Sequence, residues 1–184
     1  MDHKSSFSFR GVHLNLNHCR RASSVLVRDF VRFNYDFVSV KDPYIFDSSV
    51  IEFSSTFRKF FHPYNPLAGF IIANSNFKVF PIYVDRYILA LEIGFQEENF
   101  IISIYCPPSK DLKEDLDELK KLLLDLGDKN ILILGDFNAK SRVWGLRDGD
   151  RRGDFVLEMA EQFDLLLIKM TPILHLMAHK ALAG

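Results

Sequence analysis

A chain of 184 residues that is 48% hydrophobic can bury one sizeable core and leaves little room for a second domain. Its 23 Lys and Arg nearly balance 24 Asp and Glu, so no global field recruits nucleic acid or an anionic membrane, and a polyanionic partner must be held by a local patch. The two cysteines, Cys19 and Cys106, make no disulfide framework, the first residues lack a secretory pattern, and no run of eighteen apolar residues occurs; together these predict a soluble intracellular protein, nuclear or cytoplasmic.

In chain order, Val12, Leu14 and Leu16 alternate with His13, Asn15 and Asn17, the period of a half-buried strand. Ala22, Val25, Leu26, Phe30 and Phe33 then recur at three- and four-residue spacing and predict an amphipathic helix over 20–34. A short strand, "FVSVK", stops at Asp42-Pro43, where proline halts regular pairing. Residues 52–66, with Phe57, Phe60 and Phe61 among polar residues and two prolines, read as an irregular surface segment. Four strands follow near 69–74, 78–84, 87–95 and 100–106, separated by short turn clusters that argue for antiparallel meanders.

Leu112, Leu116, Leu119, Leu123 and Leu126 trace one face of a helix, Asp111 with Glu114 resembles a capping box, and Gly127 supplies a left-handed stop. A buried strand at 131–135, an Arg-rich loop, a helix over about 152–163 and the strand "DLLLIK" complete the body. Near the end, Thr171 as cap, Pro172 at the first helical position and an apolar face through Ile173, Leu174, Met177, Ala181 and Leu182 predict a helical tail. This order gives an α+β fold, a four-layer sandwich of two sheets with helices outside.

The strand at 131–135 runs into Asp136 and Asn138, two apart, so on extended backbone both side chains project to the same side. A carboxylate and a carboxamide there offer hard oxygens for Mg²⁺ and an amide donor for a phosphate oxygen. Turn chemistry after a buried strand explains the same pair equally well on spacing alone.

The segments "HLNLNHCRRA", "VSVKDPYI", "SIYCPP", "LILGDFNAKSRVWG" and "DRRGDFVLEMAEQFDLLLI" occur in an order that resembles the endonuclease/exonuclease/phosphatase superfamily, closest to the endonuclease domain of non-LTR retrotransposons. The resemblance implies two mixed, largely antiparallel sheets packed face to face, forming one domain over 1–169, incomplete at the C-terminus and followed by a divergent tail over 170–184. It implies a Mg²⁺-dependent DNA endonuclease, with Mn²⁺ as an alternative metal, acting as a monomer that derives from a polyprotein with a reverse transcriptase. Matched residue by residue, Asn15 and Asp42 would hold the metal, Asp136 would activate or orient water, and Asn138 and Tyr105 would contact the phosphate. Without the resemblance, Asn15 reads as the exposed face of a strand and Tyr105 as a strand aromatic with a wet tip.

Two departures stand out. Asp42 occupies the position of the family's usual glutamate ligand, one methylene shorter, and Mg²⁺ tolerates little displacement from its ligands. The family also closes its site with an Asp-His pair, whereas no aspartate follows Asp164 here and His175 and His179 come after Leu174 and Ala178. The expectation is therefore weak or absent catalysis. His3, His13, His18 and His62 join no constellation in the sequence. Lys140, Arg142 and Arg147, with Arg151 and Arg152, form the one basic concentration, which either holds a nucleic-acid backbone or pairs in solvent with acids such as Asp150; Trp144 is expected to pack under this loop.

Overall fold

The computed structural model describes residues 10–47, 49–51, 53–94, 98–170 and 174–179. Two sheets form the centre. The four-stranded sheet contains β1 (Gly11–Asn15), β2 (Phe37–Lys41), β5 (Arg58–Phe61) and β6 (Ala68–Ile72) in the order β1-β2-β6-β5. A two-residue hairpin, β3 (Ile45–Phe46) with β4 (Ser49–Val50), branches off between β2 and β5. The six-stranded sheet contains β7 (Lys78–Val84), β8 (Ile88–Gly94), β9 (Glu98–Tyr105), β10 (Asn130–Asp136), β11 (Leu166–Met170) and β12 (Leu174–His179) in the order β11-β12-β10-β9-β8-β7.

Parallel pairing joins β1 to β2 and β9 to β10, each across a helix, and the other pairs are antiparallel. The connecting helices are α1 (Arg20–Phe33) and α2 (Leu112–Leu126), and α3 (Arg151–Gln162) links β10 to β11. Three apolar clusters define four layers. Leu26 and Phe30 of α1 pack on Val38, Val40 and Ile71; Phe37, Phe70 and Ile72 meet Leu89, Leu91 and Ile101 between the sheets; Leu116, Leu119, Val156 and Met159 of α2 and α3 cover Ala90, Ile102 and Ile133. Strands β2 and β6 are buried along their whole length because both faces are covered, which is why neither shows polar alternation.

The helix ends follow from local chemistry. Asp111 accepts from the Lys113 amide at 3.0 Å to cap α2, and Gly127, at φ +59°, ends it. Asp150 caps α3, accepting from the Gly153 amide at 2.8 Å. Gly153 has a second reason to be glycine: a Cβ there would overlap the Lys140 carbonyl oxygen and approach the carbonyl carbon to 2.8 Å.

Two expectations need correction. The segment 52–66 is not wholly irregular, since β5 pairs antiparallel with β6 through Phe60↔Phe70 and Phe61↔Gly69. The expected helical tail is instead strand over 174–179, with Gly135↔His175 on the β10 side and Ile168↔Leu176 on the β11 side. Insertion between two strands satisfies both backbone edges of this segment, which outweighs its helical spacing. Thr171, Pro172, Ile173, Ala181 and Leu182, and the side chains of His175 and His179, lie outside what is described. Both cysteines are free thiols. Among the described residues no helix is long and apolar enough to cross a membrane.

Candidate active site

The parallel pairing of β9 with β10 places Tyr105 opposite Asp136 at the carboxyl ends of adjacent strands. Strand β1 ends at Asn15 opposite Lys41, next to Asp42. Packing of the two sheets brings these four strand ends together, and the join is direct: Asn15 Nδ2 donates to Asp136 Oδ2 at 2.8 Å, across 121 residues of sequence.

Asp136 is held on both oxygens, because its Oδ1 accepts the Asn138 amide at 3.3 Å. Asn138 in turn donates its Nδ2 to the Cys106 carbonyl at 3.2 Å, tying the loop after β10 to the loop after β9. The Tyr105 hydroxyl lies beside the carboxamides of both Asn15 and Asn138. Burial raises the Tyr105 phenol above its usual value, the nearby Asp42 and Asp136 carboxylates add to this, and the two amides act in the opposite sense, so the hydroxyl keeps its proton at neutral pH. All five residues matched to site roles, Asn15, Asp42, Tyr105, Asp136 and Asn138, thus meet at one end of the sandwich.

Asp42 carries a partner that sequence reasoning missed. His18 Nε2 lies 2.9 Å from Asp42 Oδ1, and its Nδ1 lies 3.0 Å from the Pro43 carbonyl oxygen. With both ring nitrogens facing acceptors, this imidazole is not available as a general base without breaking a bond. Burial lifts the Asp42 carboxyl above its ordinary range, His18 draws it down, and Asp136 pushes it up. Asn17, His18, Asp42 and Asn138 all adopt left-handed backbone, at φ 47°, 50°, 47° and 46°. No sequence signal pairs His18 with Asp42, since they meet only through the β1–β2 pairing; the backbone bond from the His18 amide to the Asp42 carbonyl at 2.9 Å seals it.

Beneath the site lies a buried polar network. Lys41 Nζ donates to Ser39 Oγ at 3.0 Å and to Ser103 Oγ, Ser39 Oγ donates to Ser103 Oγ at 3.0 Å, and His13 Nδ1 sits 3.1 Å from Ser39 Oγ. Lys41 is wholly buried, and burial holds its amine well below the ordinary lysine value, with Asp136 the leading counterweight.

The basic loop divides. Lys140, Arg142 and Arg147 are exposed, with Arg142 Nε turned 3.3 Å from the Arg147 carbonyl, and Trp144 is buried beneath, donating to the Ala139 carbonyl at 3.3 Å. Asp150 and Arg152 are not a solvated pair. Besides capping α3, Asp150 accepts the Lys140 amide at 3.0 Å. Arg152 donates to the carbonyls of Lys110 at 2.8 Å, Phe137 at 2.9 Å, Cys106 at 3.1 Å and Pro107 at 3.3 Å, clamping the two loops that follow Tyr105 and Asp136.

For a hard cation the donor chemistry fits. Two carboxylates and two carboxamides supply oxygens, which suits Mg²⁺, an ion that keeps waters and takes one or two carboxylates together with substrate phosphate. Among the described residues no three His, Cys, Asp or Glu side chains group as a metal cage.

Residues 99–179 match the family described as Endonuclease-reverse transcriptase, a segment that runs from β9 through β12. No curated protein matches the sequence. Among solved structures, the fold is similar to the endonuclease domain of TRAS1, a telomere-specific non-LTR retrotransposon, at 19% identity and a TM-score of 0.81, covering 94% of this chain and 85% of that one. It is also similar to D. rerio TDP2 complexed with single strand DNA product, at 11% identity, a TM-score of 0.60 and coverage of 96% and 85%. A third similar fold is the Bacteroides thetaiotaomicron mannosyl-6-phosphatase Bt3783, at 8% identity, a TM-score of 0.59 and coverage of 94% and 85%. The chain thus shares the fold of these endonuclease and phosphatase structures, and its second half, residues 99–179, carries the match to the Endonuclease-reverse transcriptase family.

Proposed function

We propose that the chain is a retroelement-type DNA endonuclease domain that hydrolyses a phosphodiester with Mg²⁺, at a low rate. The observation that carries this reading is the convergence of Asn15 on Asp136 at 2.8 Å, with Tyr105 opposite Asp136 on the adjacent strand. Asp42 and Asn15 are the residues that would hold Mg²⁺, which when bound would polarise the phosphate and stabilise the leaving oxygen. Asp136, fixed on both oxygens, orients water and accepts its proton. Tyr105, still protonated, and Asn138 donate to phosphate oxygens, where preorganised donors contribute most.

The rate is set low because the imidazole beside Asp42, that of His18, is committed to Asp42 and Pro43. A missing general acid-base group costs roughly 10²–10⁴-fold. Supercoiled plasmid incubated with Mg²⁺ tests this: slow nicking that chelator and Asp136→Ala both abolish is expected. Rapid nicking lost in Asp136→Ala would refute the low rate, and nicking that persists in Asp136→Ala would refute the site.

A second reading, a binding remnant without catalysis, draws on the exposure of Lys140, Arg142 and Arg147. It expects salt-sensitive DNA binding that survives Asp136→Ala, weakens when Arg142 and Arg147 are neutralised, and comes with no nicking at all. A small-molecule phosphatase is the third reading, and the segment matching the Endonuclease-reverse transcriptase family ranks it last.

A further inference from the structure

We propose that the cavity between the first turns of α2 and α3 is a phosphate subsite, in which Lys113 and Arg151 grip a backbone phosphate of the DNA strand that passes over the candidate site. This rests on the reading that the chain acts on DNA. The cavity measures about 280 Å³ and is lined by Asp111, Leu112, Lys113, Arg151, Arg152 and Phe155.

Its two free cations are gathered at one ring. Lys113 Nζ stands 4.7 Å from the Phe155 ring centroid and the Arg151 guanidinium carbon 5.3 Å from it. Among the described residues no carboxylate pairs with either. Two cations drawn to one ring repel each other, and an anion that reaches both lowers that cost. The single acid of the lining, Asp111, is turned to the Lys113 amide as the α2 cap. Phe155 and Leu112 give the cavity an apolar wall, suited to the face of a deoxyribose rather than to a second charge.

Arg152 relates this cavity to the candidate site. Its side chain lines the cavity, and its guanidinium ends on the carbonyls of Cys106 and Phe137, the residues that follow Tyr105 and Asp136. Arg152 therefore links the cavity to the loops that carry the candidate chemistry. The contact is made through charge to the backbone, so it supplies affinity without sequence preference.

Fluorescence anisotropy of the full chain with a labelled duplex, repeated over a series of salt concentrations, tests the proposal. Neutralising both cations, Lys113→Gln with Arg151→Gln, is expected to lower the magnitude of the slope of log K against log salt by about 0.9, one phosphate contact, and each single variant by part of that. Lys78→Ala, on β7, should leave the slope unchanged. Circular dichroism verifies the fold of each variant, and either single variant suffices if the double one fails to fold. Binding by the unaltered chain with an unchanged slope in Lys113→Gln and Arg151→Gln would overturn the subsite while leaving the DNA reading intact. No binding by the unaltered chain at low salt would overturn both.

Discussion

Removing the Arg152 guanidinium should loosen two loops at once. In Arg152→Ala the carbonyls of Phe137 and Lys110 lose their bonds at 2.9 and 2.8 Å, whereas the Cys106 carbonyl keeps Asn138 Nδ2 and the Pro107 carbonyl keeps the Lys110 amide. Two good charge-assisted bonds at about 1.5 kcal/mol each, the lower end because the side chain is only half-buried, give a loss of about 3 kcal/mol. For a chain of this size that corresponds to a drop in Tm of about 6–12 °C. Arg152→Lys keeps the charge but not the fork, reaches fewer carbonyls and should recover about 1 kcal/mol of this. Urea unfolding and a thermal scan of the three proteins measure it. A loss under 1 kcal/mol in Arg152→Ala, or full recovery in Arg152→Lys, would refute the clamp and return Arg152 to the ordinary surface residue its sequence suggests.

Gly153→Ala reverses the usual sign for a helix: the gain of up to about 1 kcal/mol in propensity is outweighed by overlap with the Lys140 carbonyl, and a net loss of about 1–3 kcal/mol is expected in urea unfolding. Lys41→Met should be neutral to stabilising at pH 7. Because the folded amine is held below its ordinary value, the unfolded chain binds more protons than the native state at pH between the two values, so stability rises with pH across that window up to the unfolded lysine value of about 10.4, and unfolding at pH 7 and 10 should show that rise shrink in Lys41→Met. His18→Ala frees Asp42 Oδ1 and should tighten Mn²⁺ binding several-fold, about 1 kcal/mol, by calorimetry; weaker binding would mean that His18 orients Asp42 for the metal.

Much of the fold is legible because its signals are local. The leucine face of α2, its Asp111 cap and its Gly127 stop lie within a few turns of one another, and the strands β7 to β10 announce themselves as apolar runs between turn residues. The site is legible only in part. Asp136 and Asn138 show as oxygen ligands at a strand end, but their meeting with Asn15 depends on how two sheets face each other, which no window of sequence contains; only the family resemblance named it. His18, Lys41 and Arg152 escaped for the same reason, since their partners are Asp42 and Pro43, Ser103, and four carbonyls of distant loops. The tail misled because its three- and four-residue spacing is a weak local preference, set against a vacancy between β10 and β11 that two complete rows of backbone bonds fill.

The Ser39–Ser103 bond joins β2 of one sheet to β9 of the other, at the level where apolar packing gives way to the candidate site. Grease between two sheets resists separation but is nearly indifferent to sliding, because burial has no direction. A hydroxyl pair does have a direction, and with the Lys41 amine it works as a dowel that sets how far one sheet may shift along the other. The Asn15–Asp136 alignment is a readout of that setting. Ser103→Ala should therefore leave the core nearly as stable and the sheets less well indexed, so that damage would surface first at the strand ends, several residues from the change.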